Sequence, residues 1–268
     1  MRDSIRLGRI RGIPVGVHWS LLVFAAFGVW NLALGYFPYA DPGVGTFAAL
    51  VAAIIGVLGL FGSIMAHEFG HGLVAQRRGV EVDGITLWML GGVARLRHEP
   101  RNASDAAAIA AAGPAVSVGL GAALALATWG LWVAGAAGVV LALVGYLAFL
   151  NVALALFNLI PALPLDGGRL YQAWLWHRHG DRHGATVKAA GVGRLMGWGL
   201  ALLGLTRVLT GDPGGFWLVL LGGFVASLAG TERRRARAQQ RLARVERAWF
   251  EAPPDNNGII DVRWERVE

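Results

Sequence analysis

The sequence predicts an all-α polytopic membrane protein with about six transmembrane helices and a small membrane-associated β-hairpin or sheet after the second helix. Of its 268 residues, 55% are hydrophobic and only 15% are charged, which is typical of a multi-pass membrane protein. Asp, Glu, Lys and Arg are absent from two long stretches, 42–66 and 106–165. Because a span takes about 20 residues, the second stretch holds two spans.

The spans and their flanking charges predict one membrane domain and its orientation. The domain covers residues 1–231, and a basic cytoplasmic tail covers 232–268. Six spans are expected within the domain, at approximately 15–36, 45–75, 105–130, 137–160, 189–209 and 213–231. This arrangement places 23 of the 24 Lys and Arg residues on one side of the membrane and only Arg207 on the other. The positive-inside rule identifies the first side as the cytoplasm, which then holds both termini.

The basic composition is therefore explained by orientation in the lipid bilayer. The formal net charge of +7 needs no nucleic acid partner to account for it. Four arginines precede the first span, but no small-residue cleavage site follows it, so we expect a retained helix and not a signal peptide. Cysteine is absent, which excludes disulfides and thiolate metal ligands.

A His-Glu-x-x-His motif, running from His67 to His71, lies at the cytoplasmic end of the second predicted span. On a helix these two histidines face the same side, so both imidazoles can bind one metal ion. Glu68 stands beside them as a proton acceptor. The preceding residues, 42–66, carry no charge, which predicts hydrolytic chemistry at membrane depth.

The fourth predicted span carries a second polar group to the same depth. It ends in the sequence NLIPALPLDGGR. Pro161 and Pro164 cannot continue a regular helix, so we expect the backbone to unwind there. Gly167 and Gly168 are expected to give the chain freedom to turn, which would let Asp166 bend toward the neighbouring helix.

The two motifs together predict an open zinc site. His67, His71 and Asp166 would supply three ligands to one zinc ion per chain, leaving the fourth tetrahedral position for water. Zinc in such a site lowers the pKa of bound water to about 7. Glu68 would take the water's proton and later pass it to a leaving amine, which favours a peptide bond as the target.

These motifs resemble those of the site-2 protease family of intramembrane zinc metalloproteases (peptidase family M50-like), in a short form without PDZ or CBS domains. The resemblance rests on HEFGH at 67–71 and NLIPALPLDGGR at 158–169. It extends to GGVARL from Gly91, AAGP ending at Pro114 and GIPVGVHW at 12–19. In all it covers roughly the first 170 residues.

The family resemblance implies a role for each residue of the two motifs. His67, His71 and Asp166 would bind zinc, and Glu68 would be the catalytic base. Asn158 would stabilise the oxyanion or position the substrate. The resemblance also implies cleavage of a single transmembrane helix, usually after another protease has removed the outer domain of the substrate.

Residues 82–96, which are interrupted by glycines, predict a β-hairpin at the cytoplasmic interface. Its exposed edge could pair with a substrate that is stretched out of its helical form, which would expose the substrate's carbonyl groups. A plain connecting loop is the alternative. The family resemblance favours substrate binding, which we assign to Gly91, Gly92 and Val93.

Three histidines near residue 180 are expected to have no role in chemistry. His177, His179 and His183 are interpreted as part of a solvated, arginine-rich cytoplasmic loop. His18 is interpreted as an interfacial anchor of the first span. The Gly193-x-x-x-Gly197 pattern predicts close helix packing.

The tail beyond the last span has two open interpretations. Its basic segment, 232–250, is either an amphipathic helix on anionic lipid or an ordinary solvated juxtamembrane helix. The apolar residues Leu242, Val245 and Trp249 are spaced for one helix face. Residues 261–267 alternate enough to predict a short strand.

The sequence thus predicts a zinc endopeptidase that acts within the membrane on a single-span membrane protein. Rich usage of arginine and alanine indicates a bacterium, hence the bacterial plasma membrane. Two alternatives stay open: a metal or ion transporter, and a non-catalytic scaffold. Glu68→Gln separates them, because it should stop cleavage and leave metal binding and scaffolding intact. An oligomer or a regulatory membrane partner is compatible with the sequence.

Overall fold

In the part of the chain that the structure describes, six helices are long and apolar enough to cross a membrane, which confirms the predicted fold class. The structure, a computed structural model, describes residues 4–89 and 91–251, with side chains described through residue 245. The candidate spans are Ser20–Ala40, Thr46–Arg77, Ala103–Val133, Gly138–Asn158, Arg182–Leu209 and Gly214–Val245. A small four-stranded sheet accompanies them.

The elements follow one another in a simple order, with α3 at the centre. They are β1 (Ser4–Ile10), β2 (Ile13–His18), α1 (Ser20–Asn31), α2 (Phe37–Ala40), α3 (Thr46–Arg77), β3 (Val82–Trp88), β4 (Gly91–Leu96), α4 (Ala103–Val133), α5 (Gly138–Asn158), α6 (Asp166–His179), α7 (Arg182–Leu209) and α8 (Gly214–Glu251). A π-helical turn, Leu32–Tyr36, joins α1 to α2 within one span. Helix α3 contacts α1, α4, α5 and both strands that follow it.

The sheet combines two hairpins in the order β1-β2-β3-β4. Strands β3 and β4 are antiparallel and form the hairpin predicted for 82–96, and β2 pairs with β3 in parallel. The N-terminal hairpin was not predicted. It turns at Arg11 and Gly12, whose φ angles are 48° and 81°. His18 ends β2 and does not open the first span, which begins at Ser20 and not near residue 15.

The backbone unwinds between α5 and α6, as the two prolines predicted. Helix α5 ends at Asn158, and α6 begins at Asp166. Pro161 and Pro164 lie in the intervening non-helical segment. Asp166 is therefore the first residue of a new helix, and that helix fixes its backbone direction.

The two glycines after Asp166 allow close packing and do not give the chain the predicted freedom to turn. Gly167 and Gly168 lie in the first turn of α6 and do not turn the chain. A Cβ at Gly167 would collide with the backbone carbonyl of Leu159, and a Cβ at Gly168 would lie 2.7 Å from the carbonyl oxygen of Ala162. Glycine is needed here because α6 packs directly on the backbone of the unwound segment.

The region expected as a solvated loop is helical. His177 and His179 lie in the last turn of α6, and His183 lies in the first turn of α7. The guanidinium of Arg178 lies 5.3 Å from the centre of the Trp174 ring. Cation–π contacts of this kind let a charged helix cover apolar surface. The predicted loop is therefore wrong, whereas the predicted exposure to solvent is confirmed for His177, Arg178 and His179.

Helices α7 and α8 pack through glycines. A Cβ at Gly197 would lie 2.6 Å from the backbone nitrogen of Ala226, and a Cβ at Gly204 would lie 2.5 Å from that of Val219. Gly193 instead faces the backbone of Leu163. The predicted packing role of the glycine pattern therefore holds for two different contacts.

Helix α8 continues without a break past residue 231, to Glu251. The basic segment is thus an extension of the last span. Leu242 and Val245 are 65% and 44% exposed. The side chain of Trp249 and the strand predicted at 261–267 lie outside the described residues.

We expect Gly197→Val to destabilise the protein, because the new side chain would separate α7 from the backbone of α8. Overpacking of this kind costs roughly 1–3 kcal/mol. Thermal unfolding in detergent should show a lower melting temperature. The matched control is Gly199→Val on the same helix, where a Cβ meets nothing within 4 Å. Equal melting temperatures for the two variants would contradict the packing assignment.

Candidate metal centre

Two histidines of α3 face one point inside the protein. His67 and His71 lie one helical turn apart, and they are only 3% and 8% exposed. Their Nε2 atoms are 3.2 Å apart. The helical spacing of the motif therefore brings both nitrogens within reach of a single metal ion.

Asp166, at the start of α6, joins this pair. Its Oδ2 atom lies 3.1 Å from Nε2 of His67 and 3.2 Å from Nε2 of His71. Bonds of about 2.0–2.1 Å to a tetrahedral zinc ion place the ligand atoms about 3.3 Å apart. The two nitrogens and the oxygen therefore fit a zinc ion that keeps one position open.

Helix α4 leaves space at the two Nε2 atoms. A Cβ at Gly113 would lie 2.6 Å from Nε2 of His67 and would collide with Nε2 of His71. A Cβ at Gly70 would lie 2.8 Å from the carbonyl oxygen of Ala112, so α3 and α4 are in backbone contact here. Any side chain at position 113 would occupy the space in which the metal is expected.

The remaining ring nitrogens are held by α4. His71 Nδ1 lies 2.6 Å from the carbonyl oxygen of Ile109, which can only accept, so this Nδ1 carries the hydrogen. His67 Nδ1 lies 2.9 Å from the hydroxyl of Ser117, which is fully buried. If His67 binds metal through Nε2, its Nδ1–H donates to that hydroxyl. Both Nε2 lone pairs then face Asp166.

These two partners of the histidines were not predicted from the sequence. Every residue has a backbone carbonyl, so the residue types alone do not indicate that the carbonyl of Ile109 binds a histidine. Ser117 did leave a signal, because it is a hydroxyl in the long charge-free stretch, where polar side chains usually have a purpose.

Glu68 lies between the histidine pair and the sheet. Its Oε2 atom accepts a hydrogen bond from the backbone nitrogen of Ala94 at 3.0 Å. A Cβ at Gly92 would collide with Cγ of Glu68. Strand β4 thus orients the carboxylate with one N–H group and makes room for it with one glycine.

The other predicted site residues lie outside the group formed by His67, His71 and Asp166. Gly91, Gly92 and Val93 lie on β4, at the edge of the sheet next to Glu68. Asn158 ends α5, and its Nδ2 donates to the carbonyl oxygen of Leu154 at 2.9 Å. Among the hydrogen bonds of the described residues, Asn158 makes none with the histidines or Asp166. Its predicted role in catalysis stays a prediction.

The chain is similar to known proteins of one family. The family model of Peptidase family M50 matches residues 55–135 and 132–203. Rip3 of Mycobacterium tuberculosis, named as a zinc metalloprotease, is 42% identical over 98% of this chain. The zinc metalloprotease MJ0392 of Methanocaldococcus jannaschii is 33% identical over 76% of this chain. The chain spans 67% of the length of Rip3 and 55% of that of MJ0392.

The fold also matches a solved structure. The site-2 protease from Methanocaldococcus jannaschii is 30% identical and superposes with a TM-score of 0.56, covering 86% of this chain and 95% of that one. Sequence and structure therefore agree along most of the chain. The chain belongs to peptidase family M50 and is a multi-pass zinc metalloprotease of the site-2 protease type.

Proposed function

We propose that this metalloprotease cleaves a transmembrane segment of other membrane proteins, as a step of regulated intramembrane proteolysis. The observation that supports this proposal is the convergence of His67, His71 and Asp166 next to Glu68, on elements joined to apolar spans. Ionisable groups within spans are costly and usually functional. The substrate is expected to be a single-span protein that reaches this group from the lipid bilayer.

The roles proposed for the four residues follow from their contacts. His67, His71 and Asp166 hold one zinc ion per chain, and zinc, when bound, lowers the pKa of a coordinated water to about 7. The hydrogen bond from Ala94 fixes Oε2 of Glu68, and among the described residues Oε1 makes no hydrogen bond. Glu68 therefore accepts the water's proton and returns it to the leaving nitrogen.

The substrate is proposed to bind along the free edge of β4. The Ala94 N–H points away from β3, toward Glu68, so by the two-residue period of a strand the backbone groups of Gly92 point to the same edge. A substrate segment that pairs there is extended, and its peptide carbonyls are open to attack. Gly91 and Val93 continue this edge strand on either side of Gly92.

The site is proposed to lie near the cytoplasmic face of a bacterial plasma membrane, with both chain ends in the cytoplasm. Support comes from the basic residues, of which 23 of 24 fall on one side when six spans are assumed. Helix α3 carries its histidines near the end followed by Arg77 and Arg78. This supports a position of His67, His71 and Asp166 close to the positively charged side.

Glu68→Gln is expected to abolish cleavage and keep the zinc. An amide cannot accept the proton, and loss of a general base costs roughly 10²–10⁴-fold in rate. The measurement is cleavage of tagged single-span segments co-reconstituted in liposomes, with zinc content from elemental analysis. Glu81→Gln makes the same chemical change on the protein surface and serves as control. Wild-type cleavage by Glu68→Gln would refute its role as base.

Asp166→Ala is expected to weaken zinc binding without unfolding the protein. Loss of one ligand should cost more than the 10–100-fold typical of an outer hydrogen-bond partner. Chelator competition on the purified protein gives the zinc affinity, and thermal unfolding of the metal-free protein gives the stability. Asp83→Ala, which removes an exposed carboxylate paired with Arg97, is the control. Unchanged zinc affinity in Asp166→Ala would remove this residue from the ligand set.

Gly92→Ala is expected to lower the cleavage rate and leave zinc binding intact. The added methyl group would displace the side chain of Glu68, which is not itself a zinc ligand. A matched control is Gly62→Ala on α3, where a Cβ meets nothing within 4 Å. If Gly92→Ala cleaves like wild type, the contact between β4 and Glu68 does not govern catalysis.

A further inference from the structure

A buried asparagine joins the two helices that lead to the proposed metal ligands. Asn151 of α5 is fully buried, and its Nδ2 donates to the hydroxyl of Ser63 on α3 at 2.9 Å. The same Nδ2 also donates to the carbonyl oxygen of Leu147 at 2.9 Å. Among the side-chain hydrogen bonds of the described residues, the Asn151–Ser63 bond is the one that connects α3 with α5.

Fold stability does not explain this asparagine. Its Oδ1 atom is buried and accepts no hydrogen bond from any described residue. A buried polar atom without a partner is costly, and an apolar side chain of similar shape would avoid that cost. The amide therefore lowers the stability of the fold, and we look for another role that its position serves.

The rest of the contact between α3 and α5 is apolar and not directional. A Cβ at Gly59 would lie 2.9 Å from the side chain of Leu147, and a Cβ at Gly56 would lie 3.4 Å from that of Leu143. Apolar surfaces of this kind tolerate small sliding movements, because dispersion contacts depend little on direction. A hydrogen bond with defined donor and acceptor fixes the register of the two helices.

The position of the bond relates directly to the metal centre. Ser63 lies one helical turn before His67 on α3. Asn151 lies about two turns before the end of α5, from which a short segment leads to Asp166. A shift of α3 along α5 would therefore move the histidines relative to the end of α5, from which residues 159–165 lead to Asp166. Metal sites require ligand distances within about 0.2 Å.

We propose that Asn151 is a positioning residue, which acts through Ser63 to hold the histidine pair at the correct distance from Asp166. The inference rests on the proposed function, because it takes these three residues as the zinc ligands. Asn151 itself does not contact the substrate or the metal in this scheme. Its effect on zinc passes through the relative position of α3 and α5.

The test compares metal binding with stability in Asn151→Leu and Ser63→Ala. Each variant should bind zinc roughly tenfold more weakly, in line with other residues that orient ligands. The visible absorption of the cobalt-substituted protein should change, because the ligand geometry changes. The melting temperature of the metal-free Asn151→Leu protein should stay equal or rise, because an unpaired buried amide has been removed.

Two further variants keep the test decisive. Ser63→Thr retains the hydroxyl and should restore the zinc affinity and the cobalt spectrum. Thr128→Val is the control, since the hydroxyl of Thr128 bonds, among the described residues, only the carbonyl oxygen of Leu124 in its own helix, α4. The Ser63→Ala result stands even if leucine proves too large at position 151.

The outcomes separate this inference from the proposed function. Wild-type zinc affinity and cobalt spectrum in both Asn151→Leu and Ser63→Ala would overturn the positioning role. A lower melting temperature with unchanged metal binding would also overturn it, in favour of a purely structural tie. A wild-type protein that binds no zinc would overturn the proposed function itself.

Discussion

The arrangement of α3, α4 and α6 has to hold two imidazoles, of His67 and His71, and the carboxylate of Asp166 together inside the protein. Two Nε2 lone pairs and a carboxylate oxygen at 3.1–3.2 Å repel one another unless a cation or a proton lies between them. The protein satisfies the outward-facing ring nitrogens with Ser117 and the carbonyl of Ile109. The two Nε2 atoms and Oδ2 of Asp166 face one another, which is the arrangement that a bound metal stabilises.

Close backbone contact is the means by which this convergence is achieved. Gly113 brings α4 against the histidine rings, and Gly167 and Gly168 bring the first turn of α6 against the unwound segment. In a lipid-exposed helical protein, small residues allow such approach because there is little hydrophobic driving force between helices. These glycines therefore set how near α4 and α6 come to the three proposed ligands.

The convergence of His67, His71 and Asp166 could be predicted from the sequence because helical spacing and chain breaks are local signals. A separation of four residues puts His67 and His71 on the same face of a helix. The prolines before Asp166 end the preceding helix. Both effects are local and need no knowledge of the fold. Helix α6 was missed because its arginines and histidines resemble a solvated loop, whereas Arg169 and Arg178 are exposed residues of a helix. Partners such as the Ile109 carbonyl could not be predicted, since they depend on how two distant helices meet.

The missed N-terminal hairpin bears on how the proposed substrate edge is kept rigid. A two-stranded hairpin is marginally stable alone, and three or more strands are needed for independent stability. Strand β2 pairs in parallel with β3 at Val15, Gly16 and Val17, so residues from the start of the chain complete the sheet. This pairing occupies the far side of β3 and leaves β4 as the edge strand beside Glu68. Residues 4–18 therefore support the orientation of the proposed base, although none of them belongs to the group formed by His67, His71 and Asp166.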